Sequence, residues 1–187
     1  MSYYIQLVLF LSRPRVLLVL IGLYLAFLFG VMPLLMGVGE GVPPIDLAFH
    51  YSVEEVYGWI AAYGEEGRRR YMLGEMTFDV AYPLIYTSLF IGLIGYLIDF
   101  QTLVNRPADE GRSPMVWLVV LPVSIWLFDM LENIGIVTML ANFPEVLAPV
   151  AKLTAWATTI KWSLAYLVIA LTLLLGLKKL VATFTSK

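Results

Sequence analysis

The chain lacks cysteine entirely and has a single histidine among its 187 residues. The absence of cysteine rules out disulfides, thiolate nucleophiles and cysteine-ligated zinc or iron–sulfur clusters. Charge is also scarce, since 14% of the residues are Asp, Glu, Lys or Arg, whereas a soluble domain averages about 25%. The net charge of −2 lacks the surplus of Lys and Arg that binding to phosphate backbones requires, so we expect no nucleic acid partner.

Hydrophobic residues are what the chain has in abundance. They make up 60% of the sequence, against roughly 45–50% in an average soluble domain, and the mean hydropathy is +0.84. A spanning helix needs about 20 mostly apolar residues, and four stretches meet this condition: 16–36, 78–100, 115–140 and 153–177. The sequence therefore predicts an all-α, four-transmembrane-helix bundle, formed by one domain over 1–187 and embedded in the lipid bilayer.

The N-terminal segment before the first span is apolar but too short to cross a bilayer. We expect it to form a helix in the membrane interface. Ser12 is predicted to cap the following helix, with Pro14 in its first turn. A cleaved signal peptide is the alternative, although no positive charge precedes the apolar run.

The long loop over 37–77 joins the first two predicted spans and carries seven acidic residues. Within it, Ser52 and Glu55 have the spacing of a capping box, which predicts the start of a helix. Val53, Val56, Tyr57 and Ile60 would share one face of that helix. We therefore expect a short amphipathic helix that rests on the membrane surface or on the outer mouth of the bundle.

Positive charge predicts the orientation. Seven of the twelve Lys and Arg residues fall on the side that holds both termini: Arg13, Arg15, Arg106, Arg112, Lys178, Lys179 and Lys187. Because Lys and Arg near span ends favour the cytoplasmic side, both termini are predicted to be cytoplasmic. The loop over 37–77 is then the outer loop.

Ionisable residues inside the spans are the most informative ones, because each costs about 2.5–3.5 kcal/mol on insertion scales. At a rise of 1.5 Å per residue, they are expected to meet in the outer half of the membrane. These ionisable residues are Glu75 and Asp79 near the second span, Asp129 and Glu132 on one face of the third, and Lys161 in the fourth. The polar side chain of Asn133 shares the face of Asp129 and Glu132.

Neighbouring residues suggest a pocket at this depth. Pro83 has no N–H to donate to the carbonyl of Asp79, so that carbonyl is left free. Tyr82 and Tyr86 continue the face of Glu75 and Asp79 by helical spacing and are expected to form its walls.

One lysine cannot neutralise three carboxylates. At least one of Asp79, Asp129 and Glu132 should be protonated, bound to a metal, or matched by Arg68 or by a cationic ligand. The alternative is that Lys161 simply forms an ion pair that fixes helix register, with Asn133 as an interhelical hydrogen-bond donor.

The acidic and aromatic pattern resembles that of a group of uncharacterised prokaryotic four-helix membrane proteins. The resemblance rests on Tyr51-Ser52-Val53-Glu54-Glu55, Tyr63-Gly64-Glu65-Glu66-Gly67-Arg68, Tyr82-Pro83, Asp129-Met130-Leu131-Glu132-Asn133 and Lys161-Trp162. It covers nearly the whole chain and implies a prokaryotic cytoplasmic membrane, but no activity. The architecture is also similar to the sterol-isomerase and sigma-2-receptor-like membrane family, whose members bind amphiphilic cations or sterols.

Three functional hypotheses follow. In the first, the chain binds or transports a small cationic or amphiphilic ligand, or protons, through Asp79, Asp129, Glu132, Asn133 and Lys161, with Glu75, Tyr82, Tyr86 and Arg68 around them. In the second, it is an enzyme acting on a lipid or isoprenoid by carboxylate acid/base chemistry, with His50 as a further ligand if a metal takes part. In the third, it is a structural subunit without a ligand. We assign no metal-binding or cofactor residue, and a homo-oligomer remains open.

Overall fold

The computed structural model describes residues 3–31, 42–107 and 113–185. These ranges form helices, turns and short connections without a strand. Seven α-helices lie in them: α1 (Tyr3–Leu11), α2 (Pro14–Ala26), α3 (Val53–Ala62), α4 (Gly64–Leu97), α5 (Phe100–Val104), α6 (Leu121–Asn142) and α7 (Ala148–Thr185). A π-helical turn at Phe27–Val31 continues α2, and 3₁₀ turns occupy Ile45–Leu47 and Pro114–Val120.

Four helical segments are long and apolar enough to cross a membrane: Pro14–Val31, Gly64–Leu97, Pro114–Asn142 and Ala148–Thr185. The predicted all-α fold with four spans is therefore confirmed. The helices differ in length from the predicted ranges, because hydropathy marks apolar residues whereas a helix continues into polar turns. Thus α4 begins at Gly64, ahead of the apolar span predicted over 78–100, and residues 32–36 of the first predicted span lie outside the described residues.

Helix α1 packs on α4 through Val8 and Leu11, while Tyr3 stays exposed. Its Tyr4 hydroxyl donates to the carbonyl of Val119 at 2.8 Å. The predicted cap at Ser12 is wrong: Arg13 occupies the N-cap of α2, and the Ser12 hydroxyl donates back to the Val8 carbonyl at 2.7 Å. The turn between α1 and α2 places Ser12 against Gly95 of α4. A Cβ atom on Gly95 would collide with the Ser12 hydroxyl.

Helix α3 begins at the predicted capping box. The Ser52 hydroxyl accepts from the Glu55 amide at 3.1 Å, and the Glu55 carboxylate accepts from the Ser52 amide at 2.8 Å. Val56 and Ile60 are fully buried in a cluster shared with α6 and α7. The helix thus lies on one end of the bundle, and Gly64, with φ of +66°, turns the chain from α3 into α4.

Two apolar clusters form the core, one at each end of the bundle. The loop-side core joins α3 to Tyr71 of α4, Ile136 of α6 and Ala155 of α7. The terminus-side core joins α1 to Ile91 of α4, Ile125 of α6 and Val168 of α7. On each of the three long helices the buried ionisable residues fall between these two clusters: Glu75 on α4, Asp129 and Glu132 on α6, and Lys161 on α7. The α1 helix and the C-terminal part of α7 lie at the same end, as an even number of spans requires.

Candidate ligand-binding site

An ion-pair group joins α6 to α7 between the two cores. The Lys161 ammonium contacts the carboxylate of Asp129 at 3.1 Å and also that of Glu132. The Thr158 hydroxyl donates to the other oxygen of Glu132 at 2.6 Å. Glu132 and Thr158 have no exposed surface. The structure thus brings Asp129, Glu132 and Lys161 together, and we call these three residues the paired group.

Asp129 reaches from the paired group toward α4. Its second carboxylate oxygen accepts from the Tyr86 hydroxyl at 3.0 Å. Tyr82 packs edge-on against Tyr86, with ring centroids 5.3 Å apart, and stacks on Phe27 at 4.7 Å. An aromatic wall therefore runs from α4 to the end of the first span, as predicted for Tyr82 and Tyr86.

Asn133 completes the link between α6 and α4. Its amide nitrogen donates to the backbone carbonyl of Asp79 at 2.8 Å. That carbonyl is the one that would accept from residue 83 in a regular helix, and Pro83 has no N–H to give. Asn133 thus supplies the donor that proline removes, and its position orients the α4 turn that carries Asp79.

Asp46 is a site residue that the sequence analysis did not select. The 3₁₀ turn at Ile45–Leu47 folds back onto the bundle, and the Asp46 carboxylate accepts from the Tyr71 hydroxyl at 2.5 Å. Its carbonyl accepts from the Trp162 indole at 3.1 Å and lies 3.4 Å from the Lys161 ammonium. The available signal was weak, because Asp46 is one of seven acidic residues in the loop and spacing does not indicate where a loop residue will lie.

Three carboxylates form a second acidic group. Asp46, Glu75 and Asp79 each place a carboxylate oxygen within 4.8 Å of the other two. Glu75 is 1% exposed, and neither of its side-chain oxygens has a hydrogen-bond partner within the described residues. No Lys or Arg among these residues forms a salt bridge with any of the three. We call Asp46, Glu75 and Asp79 the unpaired group.

A cavity of about 310 Å³ lies beside both groups. Asp46, Asp79, Asp129 and Lys161 face it, while Glu75 and Glu132 lie behind this lining. The remaining walls are apolar or aromatic: Tyr24, Leu28, Leu47, Tyr82, Tyr86, Phe90, Ile125, Trp162, Ala165 and Ile169. Leu47 is 40% exposed and Ile169 is 41% exposed, so the cavity reaches the surface of the bundle near these residues.

Two residues considered from the sequence lie apart from the acids. Arg68 donates to the carbonyl of Ile60 at 3.3 Å, and its guanidinium lies 4.3 Å from the ring centroid of Phe143. His50 is exposed and contacts the Thr159 hydroxyl at 2.9 Å. Arg68 therefore does not neutralise the acidic residues, and His50 does not join the unpaired group.

The loop side of the site is closed by buried tyrosines outside the spans. Burial raises the pKa of Tyr51, and nearby Glu132 adds to the effect because it disfavours a second negative charge. Burial likewise raises the pKa of Tyr63, whose hydroxyl donates to the carbonyl of Pro43 at 2.7 Å. Both phenols therefore remain neutral at physiological pH.

No family model, curated protein or solved structure matches this chain.

Proposed function

We propose that this chain is a membrane protein that binds a small amphiphilic cation in the cavity between α2, α4, α6 and α7. The observation that carries the proposal is the charge around the cavity. Three carboxylates face the cavity and two more, those of Glu75 and Glu132, lie directly behind its lining. Lys161 is the cationic side chain beside them, and it already contacts two of the five. A cationic group would reduce this excess of negative charge.

The lining suits the rest of such a ligand. Tyr82, Tyr86, Phe90 and Trp162 present aromatic rings to the cavity. Aromatic faces attract organic cations, with gains of about 2 kcal/mol or more at desolvated sites. The cavity volume of about 310 Å³ lies at the small end of ligand pockets, which measure roughly 300–1,000 Å³, and therefore favours a compact head group.

The position of the opening supports access from the lipid. Ile169 lies within the apolar span Ala148–Thr185 and is exposed at the edge of the cavity. Leu28, at the end of the first span, lines the same cavity. An apolar tail can extend between α2 and α7 into the bilayer while the charged head remains next to Asp79 and Asp129.

Binding can be measured with a matched pair of single-chain amphiphiles. We expect dodecyltrimethylammonium to change the Trp fluorescence and raise the melting temperature, because Trp162 lines the cavity. The uncharged analogue dodecyldimethylamine oxide should have much less effect. Asp79→Asn should weaken binding about tenfold or more, as expected for loss of an ionic contact. Glu54→Gln, an exposed acidic position on α3, is the control.

Equal binding of the two amphiphiles would contradict the proposal, as would unchanged affinity in both Asp79→Asn and Asp129→Asn. Native mass spectrometry of the purified protein provides a second measurement. We expect a retained small molecule in the wild type that is lost in both variants.

A second candidate function is acid/base catalysis on a membrane lipid or isoprenoid. It is favoured by the positions of Glu75 and Asp79, which lie one helical turn apart. Asp79 faces the cavity, whereas Glu75 lies behind its lining. Two carboxyls in such different surroundings suit general acid and general base roles. Turnover of a membrane lipid extract that is abolished by Asp79→Asn would favour this function over binding alone.

We further propose a prokaryotic cytoplasmic membrane with both termini on the cytoplasmic side. The clustering of Lys and Arg near the termini supports this orientation. Because the chain has no cysteine, single-cysteine variants give a clean readout. A membrane-impermeant maleimide added to intact cells should label Glu54→Cys on α3 and leave Gln101→Cys on α5 unlabelled; the reverse pattern would overturn the orientation.

A further inference from the structure

We propose that Asp46, Glu75 and Asp79 form a binding site for a hard divalent cation of the size of Ca²⁺. The three carboxylates come from two places in the sequence, the 3₁₀ turn at Ile45–Leu47 and one face of α4. One oxygen of each lies within 4.8 Å of the other two. The site adjoins the organic cation site of the proposed function and shares Asp79 with it, whereas Asp129 and the aromatic wall belong to the organic cation site alone.

Glu75 provides the second observation that points to a ligand. Its side chain is 1% exposed, and both oxygens lack a hydrogen-bond partner within the described residues. A buried carboxylate without partners is costly, and acidic residues deep in a bundle normally pair with a cation or a donor. The Glu75 oxygens instead approach two other carboxylates. A cation held between the three side chains would satisfy all of them.

Lys161 does not fill this role. Its ammonium contacts Asp129 and Glu132, and it reaches only the backbone carbonyl of Asp46, at 3.4 Å. Thr158 donates to the other carboxylate oxygen of Glu132. The Lys161 ammonium therefore pairs with the carboxylates of α6. It does not balance the negative charge of the unpaired group, which another cation could balance.

The donor set selects the kind of metal. All three side chains offer carboxylate oxygen, and His50 lies elsewhere on Thr159. Oxygen donors suit Ca²⁺, Mg²⁺ and Mn²⁺ rather than softer ions. Oxygens up to 4.8 Å apart can share Ca²⁺, which binds at about 2.3–2.6 Å, whereas Mg²⁺ requires about 2.0–2.1 Å and a tighter shell. Asp46 and Asp79 also face the cavity, from which water can complete the coordination.

The surrounding contacts hold the loop ligand in position. The Tyr71 hydroxyl donates to the Asp46 carboxylate at 2.5 Å, and the Trp162 indole holds its carbonyl at 3.1 Å. Outer hydrogen bonds of this kind orient metal ligands. Metal binding would therefore add a further link between the loop turn and α4.

Terbium luminescence tests the site directly. Tb³⁺ prefers the same oxygen ligands, and Tyr71 and Trp162, which both contact Asp46, can transfer excitation energy to it. We expect saturable sensitised emission from chelator-treated protein in neutral detergent, displaced by Ca²⁺ and less effectively by Mg²⁺. Isothermal titration with Ca²⁺ alone should give a single site. A wild type without saturable Tb³⁺ or Ca²⁺ binding would overturn the proposal.

Glu75→Gln is the decisive variant, because Glu75 does not line the cavity. We expect about tenfold weaker Ca²⁺ binding or more, and a smaller loss of affinity for dodecyltrimethylammonium, because Glu75 adds negative charge from behind the lining but does not face the cavity. Asp79→Asn should weaken both, whereas Asp129→Asn should mainly weaken binding of the organic cation. Ca²⁺ should raise the melting temperature of the wild type and not of Glu75→Gln. Wild-type Ca²⁺ affinity in folded Glu75→Gln would refute the metal site and leave the proposed function untouched.

Discussion

The two acidic groups lie side by side and differ in how their charge is balanced. In the paired group, Lys161 and Thr158 bind the carboxylates of Asp129 and Glu132 within the contact of α6 and α7. In the unpaired group, Asp46, Glu75 and Asp79 face one another without a cationic side chain from the described residues. In the first arrangement both carboxylates contact a cationic side chain. The second is incomplete, and therefore indicates binding.

The largest effect should come from removing the cation of the paired group. Lys161→Met leaves Asp129 and Glu132 buried without a partner, and breaking a buried pair in this way costs about 3–5 kcal/mol. Unfolding by SDS titration should show the loss. Lys152→Met, at an exposed position on the same helix, should change stability by less than about 0.5 kcal/mol.

Adding Asp129→Asn and Glu132→Gln to Lys161→Met should recover most of the lost stability, because no buried charge then remains uncompensated. Recovery would confirm that the paired group is structural. If Lys161→Met were as stable as the control, the two groups would not differ as we describe.

The next effect concerns the contact that connects the two groups. Asn133→Leu leaves the carbonyl of Asp79 without its donor, and an unsatisfied buried acceptor costs about 1–3 kcal/mol. Pro83→Ala restores an N–H that can donate to the same carbonyl within α4. We therefore expect Asn133→Leu to cost less in the Pro83→Ala background. Additive losses in this double-mutant cycle would contradict the compensation between Asn133 and Pro83.

A comparable or smaller effect should mark the close approach of α6 and α7. Gly135→Ala adds a Cβ atom that would collide with the side chain of buried Thr154. Such overpacking typically costs about 1–3 kcal/mol. Gly22→Ala is the matched control, since nothing lies within 4 Å of its added Cβ. The control should be neutral or gain up to about 1 kcal/mol from helix propensity. Thermal unfolding of both variants gives the comparison, and equal melting temperatures would argue against a tight contact here.

The sequence predicted the paired group better than the unpaired one, for a physical reason. Asp129 and Glu132 share a face by helical spacing, and the depth of Lys161 follows from helical rise, so their meeting was predictable. The loss of the intrahelical donor to the Asp79 carbonyl was predictable from Pro83, but the carbonyl is not free, because Asn133 donates to it. Asp46 was not, because a loop residue has no periodicity that fixes its position. Arg68 was one of the partners considered for the acids, and it instead donates to the carbonyl of Ile60 and lies over the ring of Phe143.

The smallest effect should come from the cap of α3, the helix whose Val56 and Ile60 belong to the loop-side core. Ser52→Ala removes the hydroxyl that accepts from Glu55 and should cost about 1 kcal/mol.

Hydrogen bonds from Ser52 lower the pKa of Glu55 in the folded state. A lowered pKa means that Glu55 stabilises the fold above its ordinary pKa and loses this contribution as the pH falls through the folded value. The stability difference between wild type and Glu55→Gln should therefore shrink on acidification. A difference that stays constant with pH would show that the Glu55 charge contributes nothing to the cap.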